Sequence, residues 1–180
     1  MRLKDKVAII TGSSTTGIGY SVAKSYINEG AKVVICGVTE DEVNDAKLRL
    51  EKQCPNAQFL AYKLDVTKTE DVEKVFKETY EQWGKIDILV NNAGIAPAKS
   101  LEEMSDNDFD FVMNVNTFGT FRCTKEAVKY MKENGGSIIN TSSMVSIYGQ
   151  PAGVGYPASK FAVNGLTKSL ARELGKDNIR

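Results

Sequence analysis

Residues 6–19 have the sequence Lys6-Val7-Ala8-Ile9-Ile10-Thr11-Gly12-Ser13-Ser14-Thr15-Thr16-Gly17-Ile18-Gly19. The short β-branched run at its start is typical of a strand that is buried on both faces. The residues after the glycines, 20–29, predict a helix that is closed by Gly30. A strand, a glycine turn and a helix in this order aim free backbone N–H groups and the positive end of a helix at a phosphate. The sequence therefore predicts a phosphate-binding turn.

The spacing of the glycines limits which phosphate ligand the turn can hold. Gly12 and Gly17 match the first half of a P-loop, which next requires Lys followed by Ser or Thr. Ile18 and Gly19 stand at those positions, so a nucleotide triphosphatase is excluded. A turn without any ligand is the simpler alternative, but three glycines cost backbone entropy there for no gain in packing.

Strand-like and helix-like segments alternate along the rest of the chain. Apolar runs predict strands at 31–36, 59–64, 86–90 and 137–141, and amphipathic segments predict helices at 40–53, 69–83, 106–133 and 155–174, with Ser105 capping the third of these. This alternation, with right-handed crossovers, predicts an α/β fold with a Rossmann-like, doubly wound parallel sheet. Ligands of such sheets lie at the carboxyl ends of the strands. The candidate functional groups follow predicted strands: Gly12, Gly37, Asp65, Asn92 and Ser143.

Composition places the chain among ordinary globular proteins. Its 180 residues, 42% hydrophobic and 26% charged, suit a single domain over residues 1–180. Lysine plus arginine equals aspartate plus glutamate at 23 each, so no overall field favours nucleic acid or an anionic membrane. No apolar run approaches the ~20 residues of a membrane span, and the amino terminus does not resemble a signal peptide. We therefore expect a cytoplasmic protein.

The absence of histidine restricts the possible chemistry. Histidine-based triads and histidine metal sites are excluded, and we predict no metal. The three cysteines, Cys36, Cys54 and Cys123, are far apart and odd in number, which fits reduced thiols. Tyrosine, lysine, serine, carboxylates and bound cofactors remain as the groups that could carry a reaction.

Tyr156 and Lys160 form the most suggestive pair among these. Residues i and i+4 share a helix face, so the phenol and the ammonium can point into one cleft. A phenol exchanges protons poorly near neutral pH, and a cation beside it favours the phenolate. The pair alone is weak evidence for a catalytic site, because a tyrosine and a lysine at this spacing are more often a packed side chain and a solvated one. Ser143, thirteen residues upstream at the end of a predicted strand, strengthens the case for a site.

Taken together, several of these motifs resemble the short-chain dehydrogenase/reductase family. The matching residues are Thr11-Gly12, Gly17-Ile18-Gly19, Asn91-Asn92-Ala93-Gly94, Asn116, Ser143, Tyr156 and Lys160. The resemblance covers the whole chain and implies an NAD(P)-dependent oxidoreductase that interconverts a secondary alcohol and a ketone. It implies a small-molecule substrate, no nucleic-acid or membrane partner, and a homodimer or homotetramer.

The resemblance also implies roles for particular residues. Tyr156 would be the acid/base, and Lys160 would favour its phenolate and bond the nicotinamide ribose. Ser143 would hold the substrate oxygen, and Asn116 would anchor a water in the proton relay. The remaining positions would bind the dinucleotide: Gly12, Gly17, Ile18 and Gly19 at the pyrophosphate, Asp65 and Val66 at the adenine, and Asn92, Ala93 and Gly94 at the adenosine ribose.

The sequence departs from the family pattern where cofactor preference is set. Four residues separate Gly12 from Gly17 where the family usually has three, so we expect the turn to bulge, and Thr16 replaces a common basic residue. Gly37 stands where NAD-preferring relatives carry an acid, and Val38 where NADP-preferring relatives often carry arginine. We predict a preference for NADP(H) over NAD(H), through hydroxyl groups of Ser14, Thr15 and Thr39.

A second departure is the length of the chain. The resemblance implies a sixth strand beginning near residue 178, then helices that cover the substrate and a seventh strand. The sequence ends at Arg180, so we expect strands six and seven to be absent, either because this is a piece of a longer protein or because the protein is shortened.

Three functional alternatives stay open. The overall pattern is similar to 3-oxoacyl-carrier-protein reductases, which should present basic residues at the cleft mouth, here Lys99, Arg122, Lys125 and Lys129. The segments 37–40 and 153–160 are also similar to bacterial bile-acid hydroxysteroid dehydrogenases, which should show an apolar cleft, here near Met144, Ile147, Tyr148 and Pro151. The third alternative is a nucleotide-binding subunit without turnover.

Overall fold

In a computed structural model that describes residues Met1–Arg180, five parallel strands form one sheet in the order β3-β2-β1-β4-β5. The chain order of the strands reverses between β1 and β4, which makes that point the expected ligand crevice of a doubly wound sheet. This architecture confirms the predicted Rossmann-like fold. The strands are β1 (Val7–Ile10), β2 (Lys32–Gly37), β3 (Phe59–Lys63), β4 (Ile88–Asn91) and β5 (Ser137–Asn140).

Seven α-helices connect or flank the strands: α1 (Ile18–Asn28), α2 (Glu40–Gln53), α3 (Thr69–Trp83), α4 (Asp106–Met113), α5 (Gly119–Met131), α6 (Val145–Tyr148) and α7 (Gly155–Leu174). The bounds of α2, α3 and α7 are those predicted. The prediction of one continuous helix over 106–133 is wrong, because a π-helical turn at Asn114–Phe118 separates α4 from α5. The short helix α6 lies where only a loop was expected.

The sheet is buried on both faces, and alternate residues of each strand serve different layers. Ile9, Val34 and Leu89 point to a core shared with α3 and α5, while Ile10, Ile35 and their neighbours face α1 and α2. All four residues of β1 are fully buried. This two-sided burial explains why the strand has a continuous β-branched sequence and no alternation with polar residues.

Asp87 ties the beginning of β1 to the beginning of β4. Its carboxylate accepts hydrogen bonds from Val7 N over 2.9 Å and from Lys6 Nζ over 3.0 Å, and Lys85 Nζ lies 3.2 Å away. Burial favours the neutral acid, but the hydrogen bonds from Val7, Lys6 and Lys85 outweigh it and lower the pKa of Asp87. The ionised carboxylate therefore stabilises the centre of the sheet.

The end of the chain lies beside β5. Ile138 N donates to Arg180 O over 2.8 Å, and Arg180 N donates to Gly136 O over 3.1 Å, with Gly136 and Ile179 forming a parallel bridge. The sheet itself has five strands. None of the helices combines the length and the apolar character needed to cross a membrane.

Candidate active site

The glycine turn after β1 is pressed against the segment that follows β4. Gly12 has a φ of +61°, and a Cβ there would lie 2.8 Å from Ala93 Cα. A Cβ on Gly19 would lie 2.5 Å from both Gly12 O and Asn92 Nδ2. Both positions therefore require glycine. Gly17 differs, because the nearest atom to a Cβ there is Thr15 Oγ1 at 3.7 Å.

Thr11 and Asn92 lock these two segments together. Thr11 Oγ1 accepts hydrogen bonds from the backbone N–H groups of Asn92 and Ala93, both over 3.0 Å. Asn92 Nδ2 donates to Thr11 O over 3.1 Å and to Gly12 O over 2.8 Å. The side chain of Asn92 is thus used to shape the turn, and the backbone of residues 92–94 faces the cleft.

The extra residue of the turn is accommodated at its exposed side. Ser13 joins β1 to β2: its hydroxyl donates to Ile10 O over 2.7 Å and accepts from Cys36 N over 2.9 Å. Beyond it, Gly17 N donates to Thr15 O over 2.7 Å, which closes a small turn of exposed residues. Residues 15–18 of the turn are therefore exposed, whereas Ser13 and Ser14 are buried.

A cleft of about 560 Å³ opens at the carboxyl ends of the strands, over the switch point. Two of the residues predicted to bind the dinucleotide do not line this cleft. Gly19 is buried, and the Thr39 hydroxyl caps α2 by accepting from Glu42 N over 3.3 Å. The cleft also includes residues that the motifs did not indicate, Glu42 and Ile95 among them. It brings together most of the predicted dinucleotide positions: Gly12, Ser14, Thr15, Gly17, Ile18, Gly37, Val38, Asp65, Val66, Asn92, Ala93 and Gly94.

The lining of this cleft fits a dinucleotide. The glycine turn presents backbone at the start of α1, as a pyrophosphate requires, and no side chain could be added at Gly12 without a clash. At the β3 end, Asp65 Oδ1 accepts from Thr67 N and Thr67 Oγ1 over 2.9 and 2.7 Å. These bonds fix the carboxylate at the edge of the cleft, where its other oxygen can accept from a base.

Lys160 closes the opposite end of the cleft. Lys160 is only 4% exposed, and its Nζ donates to Thr141 O over 2.7 Å. A Cβ on Gly94 would lie 3.6 Å from Nζ, which places the ammonium against the wall of the dinucleotide cleft. Nζ is also 5.7 Å from the centre of the Tyr156 ring. Burial lowers the pKa of Lys160, because the charged form loses solvation.

Asn116 lies in the π-helical turn, and its side chain is fully engaged. Its Oδ1 accepts from Ile95 N over 2.8 Å, and its Nδ2 donates to Ile95 O and to Ser159 Oγ, both over 2.9 Å. Ser159 Oγ in turn donates to Tyr156 O over 2.7 Å. The amide therefore connects the loop after β4 to the first turns of α7. Ser159, which the sequence motifs did not indicate, links Asn116 to the backbone of Tyr156.

Ser143 and Tyr156 lie on two adjoining segments, because α6, which follows Ser143, packs against α7. Ser143 lies between β5 and α6: its carbonyl accepts from Ser146 N over 3.0 Å, and its hydroxyl accepts from Val145 N over 3.3 Å. Tyr156 lies in the first turn of α7, where its N–H donates to Gly153 O over 3.0 Å. Both residues are half-buried. The structure thus places an alcohol, a phenol and an ammonium on neighbouring elements beyond Gly94.

A glycine-lined cleft at the switch point of a parallel sheet, with a buried ammonium against its wall, is the arrangement of a dinucleotide-binding protein. The chain belongs to the short chain dehydrogenase family, whose sequence profile matches residues 6–180. It is therefore an oxidoreductase that uses NAD(H) or NADP(H) with small-molecule substrates.

Individual relatives are similar over the whole chain. A 3alpha-hydroxysteroid dehydrogenase of Mediterraneibacter gnavus is 49% identical over 100% of this chain and 72% of its own length. The 3-oxoacyl-[acyl-carrier-protein] reductase FabG of Thermotoga maritima is 40% identical over the same shares. The crystal structure of a short chain dehydrogenase from Mycobacterium smegmatis superimposes with a TM-score of 0.95 at 33% identity, over 99% of this chain and 75% of that one.

Proposed function

We propose that this domain interconverts a secondary alcohol and a ketone, with Tyr156 as the acid/base. The observation that carries the proposal is the position of Lys160, whose buried ammonium lies both against the dinucleotide cleft at Gly94 and near the ring of Tyr156. One lysine can therefore contact a bound cofactor and favour the phenolate at the same time. The nicotinamide ring, when bound, supplies or accepts the hydride.

The remaining residues would handle the proton and the substrate oxygen. In oxidation Tyr156 accepts the hydroxyl proton of the alcohol, and in reduction it returns a proton to the ketone oxygen. Ser143 donates a hydrogen bond to that oxygen as its charge changes. Asn116 holds the loop after β4 against α7, which fixes the spacing between the cleft and Tyr156.

Most of the basic residues expected at a surface that binds a carrier protein already contact other side chains of this chain. Lys99 Nζ lies 2.7 Å from Asp108 Oδ1, and Lys129 Nζ lies 2.6 Å from Glu126 Oε2. Arg122 stacks over the Phe118 ring at 5.7 Å. Of the four candidates, Lys125 alone has no such partner. Two of the four cations are therefore paired with carboxylates, whereas Arg122 and Lys125 keep a charge that no carboxylate offsets.

The apolar residues that were expected to line the cleft of a steroid enzyme are exposed to solvent. Met144, Ile147 and Tyr148 are 68%, 76% and 68% exposed, and all three lie in or beside α6, directly after Ser143. Exposed apolar side chains grouped beside a site are typical of a surface that receives an apolar ligand. We therefore propose a bulky apolar alcohol, such as a hydroxysteroid, as the first substrate class, and a carrier-linked 3-oxoacyl group as the second.

The predicted preference for NADP(H) loses part of its basis in the structure. Ser14 is only 3% exposed, and the Thr39 hydroxyl already accepts from Glu42 N as the cap of α2, so Thr15 is the one exposed hydroxyl of the three with no hydrogen bond inside the chain. Cofactor preference therefore depends on the other groups at the adenosine end of the cleft. In this proposal residues 1–180 act as one NAD(P)-binding domain, and location in the cytoplasm stays a prediction.

Turnover of two ketones by the purified protein tests the proposal. A 3-ketosteroid and a 3-oxoacyl thioester are each supplied with NADH and with NADPH, and oxidation of the nicotinamide is followed by absorbance. We expect turnover of the ketosteroid, and Tyr156→Phe should lower it by about 10²- to 10⁴-fold while dinucleotide binding persists. Tyr26→Phe, on α1 and away from the site, is the matched control.

Three outcomes separate the alternatives. Turnover of the thioester alone would favour the carrier-linked substrate. Dinucleotide binding without turnover of any ketone would favour the nucleotide-binding subunit. Wild-type turnover in Tyr156→Phe would show that Tyr156 is not the acid/base.

A further inference from the structure

The backbone of Ser143 is held by a second serine three residues along the chain, Ser146. Ser143 O accepts two hydrogen bonds from that residue, one from Ser146 N over 3.0 Å and one from Ser146 Oγ. The Ser143 hydroxyl accepts from Val145 N over 3.3 Å, which leaves its own proton free to donate. The direction in which this hydroxyl points therefore depends on the backbone that Ser146 fixes.

Ser146 is the one buried residue of α6, and it is only 4% exposed. A buried hydroxyl has to satisfy its hydrogen-bonding groups inside the protein. The Ser146 oxygen accepts from Asn164 Nδ2 over 2.9 Å, and Ser142 Oγ lies 3.2 Å away. Because these two groups occupy its acceptor sites, the single proton of Ser146 is directed to Ser143 O.

Asn164 lies on the face of α7 that carries the acid/base group. Tyr156, Lys160 and Asn164 follow one another at intervals of four residues, which places them along one face of the helix. Lys160 Nζ donates to Thr141 O, and Asn164 Nδ2 donates to Ser146 Oγ. The segment between Thr141 and Ser146 is therefore bonded to this face of α7 at both of its ends.

The amide of Asn164 supplies what this contact needs, an N–H group on a neutral side chain. A carboxylate in its place could only accept, so it would draw the Ser146 proton away from Ser143 O. An aliphatic side chain would leave an acceptor site of Ser146 empty. Asn164 is half-buried and is not among the residues that line the dinucleotide cleft, so its loss should not weaken cofactor binding.

We propose that Asn164 and Ser146 are positioning residues that hold Ser143 in a fixed place relative to Tyr156. The pair joins the segment that contains Ser143 to the helix that contains Tyr156, so both hydroxyl groups can reach one substrate oxygen. This inference rests on the proposed function, because it requires a reaction in which Ser143 donates to that oxygen. It follows that the Asn164 amide contributes to turnover only while the Ser143 hydroxyl is present.

A double-mutant cycle tests the inference. Asn164→Leu, Ser143→Ala and the combined variant are compared with the wild type, with saturating dinucleotide and whichever of the 3-ketosteroid and the 3-oxoacyl thioester the wild type reduces. Ser146→Ala repeats the cycle by removing the hydroxyl itself. Asn44→Leu, the same change at an exposed position of α2, is the control. Dinucleotide affinity and melting temperature are measured for every variant.

Asn164→Asp supplies a readout that does not depend on the Ser143→Ala background. This variant keeps the shape of the side chain and a hydrogen bond to Ser146, but it reverses the direction of that bond. A role in packing alone would leave its turnover unchanged. A role in directing the Ser146 proton to Ser143 O would lower turnover at least as much as Asn164→Leu does.

We expect Asn164→Leu, Asn164→Asp and Ser146→Ala each to lower kcat by about tenfold or more, because a small displacement of a reacting group is costly. Dinucleotide affinity should stay within about twofold of the wild type, and Asn44→Leu should change neither quantity. Ser143→Ala should retain about 10⁻² to 10⁻³ of the wild-type kcat. In that background, Asn164→Leu and Ser146→Ala should change kcat by less than about twofold.

The inference is overturned if Asn164→Leu or Asn164→Asp keeps the wild-type kcat. It is also overturned if Asn164→Leu lowers kcat by the same factor with and without the Ser143 hydroxyl, because that result would indicate a general effect on the fold. Absence of turnover in the wild-type protein would instead reject the proposed function, and the inference with it.

Discussion

The side chain of Asn116 and the backbone of Ile95 form a closed pair of hydrogen bonds. Ile95 N donates to Asn116 Oδ1 over 2.8 Å, and Asn116 Nδ2 donates to Ile95 O over 2.9 Å. The π-helical turn at Asn114–Phe118 contains this residue, whose Nδ2 also reaches Ser159 on α7. A single buried amide therefore joins the loop after β4, the α4–α5 junction and the helix that carries Tyr156 and Lys160.

Asn116→Asp should disrupt this junction. A carboxylate keeps the acceptor for Ile95 N but has no N–H group for Ile95 O or Ser159 Oγ, and it would be buried beside a carbonyl oxygen. We expect the free energy of unfolding to fall by about 1–3 kcal/mol and turnover to fall with it. Denaturant titration measures the first effect. Asn107→Asp, exposed in the first turn of α4, is the control, and equal stability of the two variants would contradict the structural role.

Gly17 and Gly19 should respond very differently to substitution by alanine. A Cβ on Gly19 would overlap Gly12 O and Asn92 Nδ2, whereas Gly17 has free space around it. Gly19→Ala should therefore lower the free energy of unfolding by about 1–3 kcal/mol, and Gly17→Ala should change it by less than about 0.5 kcal/mol. Thermal unfolding of both variants makes the comparison. Similar melting temperatures would show that the turn is not packed as described.

Gly37→Asp should destabilise the protein, whereas Val38→Asp should shift the cofactor preference towards NADH. The first change forces a side chain against Ser14, while Val38 is 58% exposed and borders the same cleft. The ratio of NADH to NADPH affinity in Val38→Asp should rise severalfold without loss of stability. Binding titrations together with melting curves distinguish the two effects. A stable Gly37→Asp variant would contradict the close contact with Ser14.

Asp87 should make stability depend on acid. Its folded-state pKa is lowered by Val7, Lys6 and Lys85, so its contribution is complete above the unfolded value of ~3.9 and is lost as the pH falls through the folded value. Asp87→Asn should lower the free energy of unfolding at pH 7 by about 1–2 kcal/mol and flatten this part of the acid profile. Denaturant titrations between about pH 2 and pH 7, with Asp110→Asn as the control, measure both. An unchanged profile in Asp87→Asn would assign the acid sensitivity to other groups.

Four phenylalanines on the long helices predict self-association. Phe111, Phe118, Phe121 and Phe161 are all between 42% and 57% exposed, on α4, the π-helical turn, α5 and α7. We predict a homodimer that pairs these helices with those of a second copy, as the family resemblance implies. Phe118→Glu should shift light scattering from dimer to monomer, and Leu48→Glu, at an exposed apolar position on α2, should not. A monomeric wild-type protein, or a dimer indifferent to Phe118→Glu, would refute this interface.

Local signals were sufficient for much of the fold. Helices α2, α3 and α7 begin and end at the predicted residues, because the amphipathic spacing and the residues that flank each segment are local signals. Ser105 forms the expected cap, with Asp108 completing a capping box. The alternation of strands and helices, with right-handed crossovers, predicts a doubly wound parallel sheet, and the structure adds the strand order. The cleft at the carboxyl ends of the strands could be predicted for the same reason.

The sequence alone predicted the family, a parallel sheet and most of the residues along the cleft. Only the tertiary structure decided the π-helical turn at Asn116, the closure of Gly37 by Ser14 and the arrival of Glu42 at the adenosine end. These features depend on contacts between β1, β2, α2, α4 and α7, which are far apart along the chain. A periodic pattern predicts which face of a segment is buried, but it does not predict which atoms of other segments contact that face. For that reason the sequence predicts that Glu42 on α2 is an ordinary surface residue, whereas the fold places it beside the cleft.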